Sequence, residues 1–172
     1  MKKIICLTII FLLFTIQLTF SFESNPDPND IGKGGAEDHS FLEAKNSNFK
    51  KGKDALKQAI KLKKKKKEKK ADKRLEKALN YFILAYKNSP ENFEVLNNLG
   101  FTYYLLEDFM MSEIYYNEAL LLDPKNPMLN KRLGYLYLKT KKVKLAKERL
   151  NVLSLCKCDE FSDLKSSIAN FK

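Results

Sequence analysis

Histidine is nearly missing from this 172-residue chain: His39 stands alone. It lies in an acidic, proline- and glycine-containing stretch that offers no catalytic or ligating partner, so it is most simply a solvated residue. No Ser/His/Asp set, no glycine-rich phosphate loop and no pair of carboxylates in a pocket-like setting can be assembled from the rest. A closed zinc site needs about four ligands, and no such cluster occurs. These absences argue against an enzyme, and no cofactor or metal is expected. Cysteine is scarce as well, with Cys6, Cys156 and Cys158 and no C-x-x-C among them.

Acidic residues are sparse in one place only. Residues 50–74 hold fourteen bases against three acids, a net +11. The flanking parts carry four against six before this segment and fourteen against twelve after it. The formal charge of +11 on the whole chain therefore belongs to one segment. Its densest part, "KLKKKKKEKKADKR" at 61–74, contains nine lysines and one arginine. Such a run suits nucleic acid, an anionic surface, or a well-solvated helix. No aromatic residue interleaves the lysines to stack on bases, which argues against nucleic acid.

The start of the chain bears on the same choice. Lys2 and Lys3 precede an apolar run from Ile4 to about Phe14, and Thr19 and Ser21 occupy small-residue places before Phe22. This pattern reads as a secretory signal over 1–21, with export to the periplasm. The competing reading is an uncleaved membrane anchor, which Gln17 and Thr19 weaken. Cys6 has no small-residue context for lipid attachment. In an exported protein, Lys63, Lys64, Lys65, Lys66 and Lys67 become candidate contacts for anionic lipid or envelope polymer.

Residues 22–45 hold two prolines, three glycines and many acids without a helical period, and are expected to be a flexible linker. From Asn46 the pattern changes. Phe49, Gly52, Leu56, Ala59 and Ile60 share one helical face, and Leu75, Ala78, Leu79, Phe82 and Ala85 share another. The sequence then repeats: "NNLGFTYYLL" at 97–106 answers "KRLGYLYLKT" at 131–140, with Gly100 and Gly134 thirty-four residues apart. Leu99 and Leu133, and Tyr103 and Tyr137, keep that separation.

These residues resemble the tetratricopeptide repeat family, in which an apolar residue, Leu-Gly and Tyr mark helix A, and Ala, an aromatic, Ala and Pro mark helix B and its end. The copy at 93–126 supplies Leu96, Leu99, Gly100, Tyr103, Tyr116, Ala119 and Pro124, with Ser112 where a small Ala is usual. The copy at 127–160 supplies Leu133, Gly134, Tyr137 and Ala146, with Leu150, Leu153 and Cys158 in the later places. A first copy has a good second half in Ala78, Phe82, Ala85 and Pro90. There, Gly52 to Ala78 spans 26 residues where Gly100 to Ser112 spans 12, so 14 extra residues, mostly lysine, lie within that repeat. The resemblance covers 46–172 and implies an all-α superhelix of about three helix pairs. The Lys-rich insertion falls at 61–74, and a capping helix at 161–172 turns Phe161, Leu164, Ile168 and Phe171 inward.

The resemblance also implies a concave surface lined by helix A. Carried over by position, its residues are Asn97, Phe101, Tyr104, Lys131, Tyr135 and Leu138, a mixture suited to an extended or helical peptide. Asn98, Lys131 and Arg132 echo in part a carboxylate clamp found in some members, but Phe101 stands where its Asn would be, so carboxylate capture is not expected. The tail "DEFSDLK" is similar to a subgroup of exported bacterial repeat proteins in which it follows a cysteine pair. Three states of Cys156 and Cys158 remain open: a local disulfide, free or intermolecular thiols, and a metal or redox site. Two functions of different class are expected to compete. One is an exported adaptor that binds a protein or peptide in its groove; the other is an envelope-surface binder that docks through its lysines.

Overall fold

A computed structural model describes the backbone of residues 35–171 and the side chains from Ser47 onward. The expected signal at 1–21 and the first part of the expected linker lie outside the described residues. Among these residues there are seven helices: α1 Gly35–Lys64, α2 Glu68–Asn88, α3 Phe93–Leu105, α4 Phe109–Leu122, α5 Pro127–Lys139, α6 Val143–Leu153 and α7 Asp159–Ala169. Residues Asp38–Lys172 form one compact unit. Helix α1 begins inside the stretch expected to be linker. Between Gly35 and Gly52 neither proline nor glycine interrupts the chain, and Ala, Glu, Leu and Lys favour helix.

The starts of the middle helices are fixed locally. Asn92, Asp108 and Asn126 each accept a hydrogen bond on the side-chain oxygen, from the backbone N–H of Val95, Met111 and Leu129, all at 3.1 Å. Each cap satisfies a donor that the first helical turn leaves unpaired. Pro127 at the first position of α5 loses no hydrogen bond there.

Helices α1–α2, α3–α4 and α5–α6 are the three pairs, and each pair turns on a residue in the left-handed region. These are Lys66 (φ 55°), Glu107 (φ 64°) and Lys141 (φ 62°). The three turns close alike. The next N–H, from Lys67, Asp108 and Lys142, donates to the carbonyl of Leu62, Tyr103 and Tyr137 at 3.0, 3.0 and 2.7 Å.

This shared turn shows how the 14 extra residues are distributed. Glu107 and Lys141 each follow their helix A glycine by seven residues, whereas Lys66 follows Gly52 by fourteen. The small residue of helix B comes five later in Ser112 and Ala146, and twelve later in Ala78. Each helix of the first pair is thus longer by one heptad, two turns or about 10 Å. Seven residues restore nearly the same helical face. Ala59 and Ala71, one heptad beyond Gly52 and before Ala78, are fully buried and continue the close approach of the two helices. The expected insertion at 61–74 therefore contains one core residue, Ala71, beyond which Lys64 to Lys70 are exposed.

The core follows the repeats. One buried cluster joins the first and second pairs through Leu56, Leu75, Ala78, Phe82, Ala85, Val95 and Leu99. Another joins the second, the third and α7 through Leu96, Tyr116, Ala119, Leu129, Leu133, Leu153 and Leu164. Phe82 and Tyr116 are nearly fully buried, each worth roughly 1.5–3 kcal/mol in burial. Ser112 is satisfied inside this core because its hydroxyl donates to the Gly100 carbonyl at 2.8 Å. Buried Asn130 ties down the turn between repeats, donating to the carbonyls of Pro124 and Asn126 at 3.0 and 2.9 Å.

The cap starts two residues earlier than expected, because Asp159 and Glu160 suit the positive end of the helix. Leu164 is fully buried, while Phe161 and Ile168 pack partly buried against the same cluster. Phe171 lies past the helix and is 37% exposed, which removes it from the expected inward face. Immediately before α7, Cys156 and Cys158 are joined by a disulfide, with their Cα atoms 5.2 Å apart.

Candidate functional site

Helix A of each pair lines one side of the array, and α1, α3 and α5 together enclose an open hollow of about 460 Å³. Leu56 and Ile60 of α1 and Phe101 of α3 give it apolar walls; Lys53, Asp54, Lys57, Asn98 and Arg132 give it polar ones. Three cations against one carboxylate leave it electropositive.

Arg132 is held in place by Phe101 and Asn97. Its guanidinium lies 4.3 Å from the centroid of the Phe101 ring, a cation–π distance. Nη1 donates to Asn97 Oδ1 at 2.8 Å, and the Tyr116 hydroxyl sits beside the same group. Burial pushes the Arg132 pKa down, partly offset by Tyr116. Burial likewise raises the Tyr116 hydroxyl well above its ordinary range, and the nearby Arg132 charge opposes that shift. Both remain in their usual states near neutral pH, so the site holds a fixed positive charge on a rigid aromatic platform. No carboxylate among the described residues forms an ion pair with it.

The six residues expected on the concave surface divide into groups. Phe101 lines the hollow, and Asn97 holds Arg132 over it. Tyr104 is partly buried and packs edge-on against Phe109 at 5.8 Å. Its hydroxyl is raised by burial, then by neighbouring Tyr135 and Glu107, and Tyr104 and Tyr135 both pack, partly buried, against the second core cluster. Lys131 is engaged by the cap instead, 3.0 Å from Asp163 Oδ2 and 3.6 Å from Glu160 Oε1. Burial alone would lower its pKa, but the hydrogen bond and charge of Asp163, with Glu160, raise it. Leu138 is only 7% exposed, buried in the same cluster as Leu164 of α7, so it cannot line the surface.

The α1 wall was missed by carrying positions over from the two clear repeats alone. Lys53 follows Gly52 as Phe101 follows Gly100, and that equivalence was available in the sequence. Of the five lysines expected to meet an anionic surface, Lys64, Lys65, Lys66 and Lys67 are exposed. Lys63 is partly buried and already paired, 3.4 Å from Glu68 Oε2 and 3.7 Å from Asp72 Oδ1.

The tetratricopeptide repeat family model matches residues 93–126, which are α3, α4 and their flanking turns. No curated protein matches in sequence. Among solved structures, the Arabidopsis OM64 TPR domain is 21% identical, covering 75% of this chain and 97% of that one, with a TM-score of 0.61. The second TPR domain of human RPAP3, in complex with the HSP70 peptide SGPTIEEVD, is 18% identical over 73% and 98%, with a TM-score of 0.55. A chain of the CopN–Scc3 complex is 18% identical over 95% and 98%, with a TM-score of 0.54. The described helices thus have the fold of a tetratricopeptide-repeat superhelix, with one full repeat of that family at 93–126.

Proposed function

We propose that the chain is an exported protein-interaction module that holds an acidic segment of a partner protein in the hollow between α1, α3 and α5. The observation that carries this reading is Arg132: a guanidinium fixed over Phe101 and held by Asn97, with no carboxylate partner among the described residues. A charge ordered in this way loses little entropy on meeting a carboxylate, and a charge-assisted pair is the strong kind of hydrogen bond. Lys53 and Lys57 add charge at the rim, while Leu56, Ile60 and Phe101 receive an apolar side chain beside the acidic one. The peptide of the RPAP3 complex, SGPTIEEVD, has that mixture of acidic and apolar residues, which supports the assignment. Export rests on the charged, apolar and small-residue pattern of residues 1–21.

Fluorescence titration with matched acidic, neutral and basic peptides, each carrying a central isoleucine or valine, tests the reading. Acidic peptides should bind best, and Arg132→Gln or Phe101→Ala should weaken them by about tenfold or more. A melting curve for each variant separates lost binding from lost folding. Equal affinity for the three peptide classes would refute the charge assignment.

A further inference from the structure

The heptad added to each helix of the first pair carries charge away from the core. Past the buried Ala59 and Ala71, the α1–α2 hairpin runs on into a tip whose Lys64 to Lys70 are exposed. Residues 61–74 contain two acids, Glu68 and Asp72, and both lie against one cation, Lys63. The remaining eight lysines and Arg74 form no ion pair among the described residues. Two shallow hollows flank Leu62 between the helices. One, of about 360 Å³, is lined by Lys70, Lys73 and Arg74; the other, of about 290 Å³, by Lys61, Lys65 and Lys67.

We propose that this tip docks the array on an anionic phospholipid surface, with its lysines in the headgroup layer and no side chain in the hydrocarbon. Three features favour a lipid surface. The cations are spread over both helices and the turn of a convex projection, which meets a broad charged plane better than it encloses a single strand. Each hollow is lined by cations, so a headgroup phosphate can enter it. The tip has no aromatic residue to stack on bases. Its one larger apolar residue, Leu62, is partly buried between the helices, so nothing is available to insert. Attachment of this kind is electrostatic and superficial, and is screened by salt. It is independent of the peptide hollow, so either reading can fail alone.

The test compares whole-chain binding to vesicles of phosphatidylcholine alone and of phosphatidylcholine with phosphatidylglycerol. The measured quantity is the ratio of anionic to neutral binding, compared between variants that all share the residues near Met1. A tip variant changes Lys64, Lys65, Lys67, Lys69 and Lys70 to Gln, leaving the turn residue Lys66. A control variant changes five exposed lysines elsewhere, Lys87, Lys125, Lys139, Lys144 and Lys147, to Gln. The parent and the control should prefer anionic vesicles at low salt and lose that preference near 1 M salt, where the screening length is about 3 Å. The tip variant should lose it by roughly tenfold or more, and Arg at the same five positions should restore it. Equal losses in tip and control variants would reduce the effect to net charge and overturn the proposal. An unchanged tip variant would overturn it too, as would a parent that binds soluble polyphosphate but not anionic vesicles.

Discussion

At Gly100 there is no room for a methyl group: a Cβ there would stand 2.5 Å from the Tyr116 ring. Gly52 has the same relation to Phe82, at 2.6 Å, whereas at Gly134 the obstructing side chain is Leu164 of the cap, also at 2.6 Å. Alanine ordinarily improves a helix by up to about 1 kcal/mol over glycine. Here overpacking should outweigh that gain, and Gly100→Ala should destabilise the array by about 1–3 kcal/mol in urea unfolding. Adding Tyr116→Leu should recover part of the loss, because the two sites share one contact. A Gly100→Ala protein as stable as the parent would show that α3 and α4 do not approach as described. The glycines were legible in the sequence because their spacing repeats. Arg132 was legible only as a partial motif, since its role depends on Asn97 and Phe101 of the neighbouring repeat. The pairing of Lys131 with the cap was not legible, because its acidic partners lie on α7, about thirty residues away in sequence.

At the scale of the element, the first helix pair departs most from its repeats. The sequence revealed that 14 residues were extra, but not that they divide evenly. No glycine, proline or asparagine marks the turn among the lysines, and Lys66 takes the left-handed conformation itself. Removing Ala59–Lys65 together with Lys67–Lys73 should leave an ordinary helix pair on the same turn. Its melting temperature should be near the parent's, less the contributions of Ala59, Ala71 and the partly buried Ile60. Removing Ala59–Lys65 alone leaves one helix about 10 Å too short for a tight turn, so it should melt well below the double deletion. Melting curves followed by circular dichroism decide between the two. If both deletions behaved alike, the paired-heptad description would be wrong. The beginning of α1 was not legible either, because prolines and glycines up to Gly35 give way to helix-forming residues without any change in the polar character of the segment.

At the scale of the molecule, three pairs and a cap leave one concave side on which α1, α3 and α5 come together, and Arg132 stands there over Phe101. The overall fold was largely legible because a repeat announces itself twice, whereas the hollow was not, because it is made by residues of three different repeats. The convex side is different in kind: on α4, Asn117 is exposed between Ile114 and Leu121. The most direct measurement is photo-crosslinking in cells from a photoreactive residue placed at Lys53, at the rim of the hollow, or at Asn117. A partner adduct should form from position 53, disappear in the Arg132→Gln background, and be absent from position 117. An adduct that formed from 117 and not from 53, or that was indifferent to Arg132, would contradict the account.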